Sequence, residues 1–358
     1  TCISRSIRVP SSNSTLTSLL FLTGCGQEVP PENSPQQETD AVRQEISEDT
    51  QEEAKEDSMR EETGVTSGSF PENLEQIPQE YFTPAQQEGT LVELEYDTYE
   101  SMSYEEKETV LHKRAIVYLP YGYSEDTPYN VFYLMHGGWS DETTYLGTPD
   151  QPNAFKYVLD HGMEDGKIQP MIVVCPTYNN ESDTDSSSYS LALRLTENYH
   201  RELVNDLIPA VEGTYSTYAE DTSPEGIRQS RDHRAFAGFS MGSVATWRTF
   251  QYCLDEFRYF MPSSGSLTTD GEVMASMVRD SGHDWDDFFI FAASGTEDFA
   301  YSSFKTQIEA MAGADREIFR VADNEKEGNL YFLEQEGGTH SGEYAMEYFY
   351  NGLRWIWQ

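Results

Sequence analysis

The chain has 358 residues, of which 37% are hydrophobic and 13% aromatic, so it can form one large domain or two ordinary ones with a sizeable core. Its formal net charge of −40 argues against nucleic acids and anionic membrane surfaces as partners, because like charges repel. A neutral polymer or a small neutral ester suits this charge, although an acidic surface is also a common means of keeping a protein soluble.

The first segment of the chain has the layout of an export signal. Arg5 and Arg8 precede a short apolar stretch, LTSLLFLTGC, at 16–25. Its last four residues resemble the bacterial lipobox, so we predict a lipoprotein-type signal peptide over 1–25 with Cys25 lipidated. The alternative is an amphipathic helix with a chance Gly-Cys pair. The prediction implies a protein that is secreted or lipid-anchored at the bacterial cell surface, with no other membrane contact.

An acidic segment of biased composition follows. Residues 27–69 contain no aromatic residue and are rich in Glu, Gln, Ser, Thr and Pro. Such a segment cannot bury enough apolar surface to offset the entropy lost on ordering, and its like charges favour an extended chain. We therefore predict a disordered tether over 26–84 and a folded domain over 85–358.

The folded domain alternates predicted strands and helices. Apolar runs rich in β-branched and aromatic residues predict strands at 91–98, 113–120, 129–138, 170–178, 233–240, 257–265, 288–298 and 329–338. Helical spacing of apolar residues predicts helices at 152–164, 193–215, 241–255, 302–313 and 342–357. This alternation predicts an α/β fold with a mostly parallel sheet, helices on both faces, and the first two strands antiparallel at one edge.

One motif lies where a strand meets a helix. Gly238, Ser240 and Gly242 form Gly-x-Ser-x-Gly between the strand RAFAGF and a helix that starts at Met241. This strand–turn–helix context is that of a nucleophile elbow, in which the serine adopts strained backbone angles and the glycines let strand and helix approach. A glycine-rich phosphate loop or a plain turn is the alternative interpretation.

A serine nucleophile needs a base and an acid to orient it. His340 follows the last predicted strand and precedes the last helix, which favours it as the base over His136. Asp298 follows the strand between Ser240 and His340 and is our choice for the acid, with Glu297 in reserve. The order Ser, Asp, His along the chain is the order found in α/β-hydrolases.

The oxyanion hole needs two backbone amides. Met241 directly follows the serine and supplies the first. The second comes from the HGG turn at 136–138, and Gly138 is the preferred residue because a backbone without a side chain can approach the oxyanion closely. His136 is then expected to shape this turn.

Aromatic residues are expected near this site. Loops at the carboxyl ends of the predicted strands carry Trp139, Tyr145, Tyr178, Tyr189 and Tyr301. Aromatic side chains suit a flat acyl ring or a sugar face. The predicted substrate-binding residues are His136, Gly137, Trp139 and Tyr178. With 23 tyrosines in the chain, however, tyrosines near any site are unsurprising.

The cysteines and acidic loops do not predict a metal site. Cys175 ends an apolar run and Cys253 lies on a predicted helix, so both are expected to be small buried hydrophobic residues, with a disulfide as the alternative. No Cys/His cluster has zinc spacing, and the loop at 179–190 lacks most of a calcium-ligand pattern. That loop is predicted to be solvated, and no metal or cofactor is expected.

The stretch 113–358 resembles the esterase D-like family of α/β-hydrolases, in particular the feruloyl esterases of carbohydrate esterase family 1. The resembling pieces are VYLPYGY, YNVFYLMHGGWSDE, LVNDLIPAVEGTYST, RDHRAFAGFSMGS, GTED and GGTHSGEYAMEYF. The resemblance implies that Ser240, Asp298 and His340 form a catalytic triad. It also implies esterase chemistry on acyl groups that decorate plant cell-wall xylan. Ser243 departs from relatives, which often carry glycine at that position.

The sequence therefore predicts a feruloyl esterase that releases hydroxycinnamic acids from arabinoxylan through an acyl-enzyme. The partner would be a feruloylated or acetylated plant cell-wall polysaccharide. An acetylxylan esterase is the first alternative, and a non-catalytic glycan-binding protein with a hydrolase fold is the second. A thioester hydrolase acting on formylglutathione is disfavoured because that role is cytosolic and this chain is predicted to be exported.

Overall fold

The computed structural model describes residues 69–358. The strands are β1 (Thr90–Tyr99), β2 (Val110–Leu119), β3 (Asn130–Met135), β4 (Gly147–Thr148), β5 (Gln151–Pro152), β6 (Met171–Cys175), β7 (Arg234–Phe239), β8 (Tyr259–Ser263), β9 (Phe289–Gly295) and β10 (Leu330–Gln335). The helices are α1 (Ala154–Glu164), α2 (Tyr189–Asn198), α3 (His200–Glu202), α4 (Ile208–Thr214), α5 (Pro224–Gln229), α6 (Met241–Tyr252), α7 (Gly271–Ser281), α8 (Tyr301–Ala314) and α9 (Gly342–Leu353). A π-helical turn, Leu203–Leu207, joins α3 to α4.

Eight strands form one sheet in the order β1-β2-β6-β3-β7-β8-β9-β10, and β4 pairs with β5 in a separate hairpin. The six strands from β6 to β10 in this order are parallel to one another. β2 runs antiparallel to both of its neighbours, β1 and β6. The predicted mostly parallel sheet with antiparallel strands at one edge is therefore confirmed.

Helices cover both faces of the sheet. Successive residues of β3 alternate between two apolar clusters, with Tyr133 in one and Phe132 in the other, because successive side chains of a strand point to opposite faces. Helices α2, α6, α7 and α8 supply one cluster, and α1 and α9 supply the other. Burial on both faces explains why the central strands read as continuous apolar runs.

The folded part starts earlier than the predicted residue 85. Phe70 is 3% exposed, and its ring lies 4.7 Å from that of Phe291 between ring centroids. Tyr81 is 2% exposed and lies in the short 3-10 helix Gln79–Phe82. Residues 70–84 thus supply apolar area to the core instead of belonging to the tether. The predicted signal peptide and most of the tether lie outside the described residues.

Two helical regions differ from the predictions. The helix expected at 193–215 starts at Tyr189 and is divided into α2, α3 and α4. Helix α7 was not predicted, although both of its ends carry local signals. The Asp270 side chain accepts hydrogen bonds from the first amides of α7, and Gly282 ends it at φ 81°. Within residues 69–358, no helix is both long and apolar enough to cross a membrane.

Candidate active site

Ser240 lies on a sharp turn between β7 and α6. Its backbone has φ 61° and ψ −119°, a region that non-glycine residues rarely adopt. A Cβ on Gly238 would overlap the backbone of Gly242, and a Cβ on Gly242 would overlap the carbonyl oxygen of Met135. The two motif glycines are therefore required by backbone contact. Gly265, which the sequence analysis did not single out, is required in the same way by the carbonyl of Ser240.

His340 and Asp298 meet at the ends of neighbouring strands. His340 Nδ1 lies 2.8 Å from both carboxylate oxygens of Asp298, whose side chain is fully buried. Asp298 Oδ1 also accepts the Ala300 amide at 2.7 Å. Glu297, the reserve candidate, is exposed and has no such contact. Because Nδ1–H donates to the carboxylate, Nε2 of His340 is the ring nitrogen that can accept a proton.

Two phenylalanines contact the imidazole of His340. Phe239, directly before Ser240, lies 4.4 Å from the His340 ring between centroids, so the histidine is brought next to the nucleophile turn. Phe299, directly after Asp298, lies 4.1 Å from the same ring and is 81% exposed. The sequence analysis missed Phe299, although its position beside the acid was a usable signal.

The HGG turn lies against the nucleophile. A Cβ placed on Gly137 would be 3.5 Å from Ser240 Cβ. In the described part of the chain, the amides of Gly138 and Met241 donate to no protein acceptor, whereas the Trp139 amide donates to Ser186 at 3.1 Å. Both amides, and that of Gly137, are therefore free to donate to an oxyanion, which is what the predicted oxyanion hole requires.

Two side chains that were predicted to bind substrate, those of His136 and Tyr178, are instead buried and hydrogen-bond to the HGG turn. His136 and Tyr178 are 1% and 2% exposed, and their rings stack at 4.4 Å. His136 Nδ1–H and the Tyr178 hydroxyl both donate to the Gly137 carbonyl, at 2.7 and 2.8 Å. Burial lowers the pKa of His136 to about 4, so it is neutral at pH 7. The prediction of substrate contact by these two side chains is therefore wrong.

The other aromatic residues predicted near the site differ in how exposed their side chains are. Trp139 is 74% exposed with φ 56°, and Tyr189 is 62% exposed. Tyr145 is buried and packs edge-on against Phe349. Tyr301 donates a hydrogen bond to the carboxylate of Glu334. Trp139 and Tyr189 thus remain available to a ligand, and Tyr145 does not.

The sequence predicted a solvated loop at 179–190, but part of this loop is buried. Asn179 and Ser186 are 4% and 1% exposed. Both side chains donate to the carbonyl of Ser140, at 3.1 and 2.7 Å. This loop therefore holds the chain segment that follows Gly138.

The two described cysteines are buried, as predicted, and both are free. Cys175 and Cys253 belong to the clusters on opposite faces of the sheet, so they cannot pair with each other. Burial raises the pKa of both thiols. Residues 69–358 contain no group of three or more His, Cys, Asp or Glu side chains that could hold a metal ion.

The chain resembles known esterases in sequence. The Esterase family model matches residues 112–344. Endo-1,4-beta-xylanase Y of Acetivibrio thermocellus is 37% identical over 282 residues, which are 77% of this chain and 24% of that protein. This chain therefore spans about a quarter of the length of that relative.

Solved structures of esterases are also similar to this chain. One similar structure is the feruloyl esterase module from Clostridium thermocellum, a serine-to-alanine mutant in complex with sinapinate. Its sequence is 35% identical to this chain and its TM-score is 0.70, and the match covers 82% of this chain and 96% of that module. The CE1 ferulic acid esterase from Anaeromyces mucronatus is 18% identical with a TM-score of 0.55, covering 77% and 94%, and shares the fold. The resemblance and the α/β-hydrolase fold inferred from the sequence are confirmed.

Proposed function

The chain belongs to the Esterase family, and from this premise we propose that it is a serine esterase that releases hydroxycinnamic acids, ferulate foremost, from arabinoxylan. The observation that carries the proposal is the contact of His340 Nδ1 with the buried Asp298 beside the strained turn at Ser240. This arrangement leaves His340 Nε2 to act as a base toward the serine hydroxyl.

In the proposed reaction, Ser240 Oγ attacks the ester carbonyl while His340 Nε2 takes its proton. The amides of Gly138 and Met241 stabilise the tetrahedral oxyanion. His340 then protonates the leaving sugar oxygen, which gives an acyl-enzyme on Ser240. Water, deprotonated by the same histidine, attacks the acyl-enzyme and releases the acid. Asp298 keeps the Nδ1 proton in place and stabilises the imidazolium that forms.

Exposed aromatic side chains favour an aryl acyl group over acetyl. Phe299 lies against the proposed base, and Trp139 follows the proposed oxyanion turn, so a planar ring bound at Ser240 could contact both. An acetyl group needs only a small enclosed pocket. The sinapinate in the Clostridium thermocellum module is itself an aryl acid, which supports the same choice.

The test compares kcat/KM for methyl ferulate with kcat/KM for a simple acetyl ester, alongside ferulate released from wheat arabinoxylan and acetate released from acetylated xylan. We expect a preference for ferulate on both the small and the polymeric substrates. A strong preference for acetyl, with no ferulate released, would contradict the acyl assignment while leaving the proposed triad intact.

We also propose that the enzyme is exported and anchored by a lipid on Cys25. The basic residues and the apolar stretch that precede Cys25 support this placement. A lipid on Cys25, followed by the long acidic segment, would hold the catalytic domain away from the membrane. The wild-type protein should fractionate with membranes and the Cys25→Ala variant should not. Equal membrane recovery of both would contradict the anchor.

A further inference from the structure

A cavity opens beside strands β1 and β2 and contains none of the three proposed catalytic residues. Its volume is about 700 Å³, within the range of roughly 300–1,000 Å³ that is usual for ligand sites. One wall is formed by exposed side chains of β1 and β2, among them Glu95 and His112, and the other by the loops around Asp141 and Asp183. We call this cavity the edge groove.

The edge groove lies at the same edge of the sheet as Ser240. Ile116 of β2 pairs with Cys175, the last residue of β6, and β2 runs antiparallel to β6. The residues of β2 before Ile116 therefore extend past the carboxyl end of β6, which is the edge where β7 delivers Ser240. The last residues of β1 pair with this extension, Asp97 with His112.

One loop links the groove to the nucleophile. Gly137 approaches Ser240 Cβ, and Asp141, four residues later, lies in the groove wall. Four residues span at most about 14 Å, so the groove wall begins within the length of a short oligosaccharide from the ester carbonyl. Exposed Trp139 lies on the chain between the two.

The polar groups on the floor of the groove are paired within the protein, and so are Asp97 with His112 and Glu142 with Arg114 in its walls, but two wall carboxylates are not. Lys113 Nζ donates to the Thr177 carbonyl at 2.7 Å and pairs with Glu202, which also accepts the Tyr96 hydroxyl at 2.6 Å. By contrast, the exposed carboxylates of Glu95 and Asp183 have no partner among residues 69–358. These two walls therefore offer free acceptors to a ligand that carries hydroxyl donors.

The charge of the lining restricts the ligand further. Five carboxylates line the groove, and its Arg114 is already paired with Glu142 at 2.7 Å. An anionic ligand would be repelled. A multivalent metal ion would need converging ligands, and the described residues hold no such cluster. Uncharged sugar hydroxyls can donate to the carboxylates without any countercharge.

We propose that the edge groove binds the neutral carbohydrate part of the ester while the acyl group lies at Ser240. This inference rests on the proposed function, since it assigns the leaving-group side of the same reaction. It makes the enzyme selective for esters on uncharged pentose chains over esters on uronate-rich chains. It also makes a feruloylated oligosaccharide a better substrate than methyl ferulate.

The test is the double variant Glu95→Ala/Asp183→Ala, in which both changed side chains are exposed. We expect kcat/KM for a feruloylated arabinoxylo-oligosaccharide to fall roughly tenfold, mainly through KM, because hydrogen bonds to charged groups are lost. We expect kcat/KM for methyl ferulate to change less than about twofold, since that ester does not reach the groove. The matched control is Glu125→Ala/Asp126→Ala, on exposed residues of the connection from β2 to β3 at the opposite edge.

An unchanged ratio of the two kcat/KM values in the double variant would overturn the groove assignment. Binding of spermine that the wild type shows and the double variant loses, with oligosaccharide kinetics unchanged, would overturn it in favour of a cationic ligand. A wild-type enzyme that does not hydrolyse methyl ferulate would instead count against the proposed function. The two failures are therefore distinguishable.

Discussion

The nucleophile turn and the edge groove lie at one edge of the same sheet but differ in construction. In the turn, backbone meets backbone, and a single added Cβ at Gly238 or Gly242 has no room. In the groove, the walls are exposed side chains such as Glu95 and Asp183, which few neighbours constrain. The proposed chemistry therefore depends on backbone placement, whereas the proposed recognition of the leaving group depends on exchangeable side chains.

The largest effect is expected at the acid. Asp298→Asn should lower kcat by about 10⁴-fold with the fold intact, because an asparagine favours the wrong tautomer of His340. The matched control is Glu297→Gln, one residue earlier and exposed, which should change kcat less than about twofold. Steady-state kinetics on a chromogenic ester measure both. If Glu297→Gln proves to be the damaging change, the acid is misassigned.

The next largest effect tests the lack of space in the turn. Gly242→Ala should lower the free energy of unfolding by about 3 kcal/mol or more, because the new Cβ meets the Met135 carbonyl. Gly313→Ala is the control, since no atom lies within 4 Å of a Cβ added there in α8. That change should stabilise the protein by about 0.5–1 kcal/mol. Urea denaturation measures the free energy of unfolding of both variants. Equal values for Gly242→Ala and Gly313→Ala would contradict the close contact at Gly242.

A smaller effect concerns the histidine behind the turn. Burial lowers the pKa of His136 from 6.5 to about 4, so below pH 6.5 the unfolded chain binds a proton that the folded chain excludes. Stability should therefore fall as the pH drops from 6.5 toward 4, by about 2–3 kcal/mol at pH 4.5 from this residue alone. This share of the acid sensitivity should be missing in His136→Gln.

Urea denaturation at pH 7 and pH 4.5 measures that share. His112→Gln is the matched control, because His112 lies in the groove wall with a side chain that is 81% exposed. If wild type and His136→Gln lose the same stability between the two pH values, burial of a neutral His136 does not contribute to acid sensitivity.

The smallest effect concerns the acyl side. Phe299→Ala should lower kcat/KM for methyl ferulate by up to about tenfold, the size of an aromatic pair, and for an acetyl ester by less. Tyr121→Ala changes another exposed aromatic, 61% exposed, beyond the far end of β2 and should alter neither value. An equal loss on both esters would assign Phe299 to positioning His340 and not to contact with the acyl ring.

The strand ends and the positions of the candidate residues that follow them were predictable because local patterns report them. A strand buried on both faces reads as an apolar run, and Ser240 and Asp298 follow such runs, whereas His340 follows the partly buried edge strand β10. The glycines of the nucleophile turn were readable for the same reason, since they lie between an apolar run and a helical pattern.

Burial created by distant contacts was not predictable. Tyr178 follows the end of β6 and reads as a loop residue. Its ring is nevertheless buried, because it packs against His136, forty-two positions earlier in the chain. Phe70 joins the core through β9 and the C-terminal segment, although the sequence around it is polar. The edge groove likewise depends on bringing 95–97 and 179–183 together, which no local pattern encodes.

The most direct test of the central claim is to label the wild-type protein with a fluorophosphonate and map the modified peptide by mass spectrometry. We expect a single adduct, on Ser240, together with complete loss of ester hydrolysis, because the activated serine attacks the phosphorus as it would an ester carbonyl. An adduct on another residue, or full ester hydrolysis by a protein that takes no label, would contradict it.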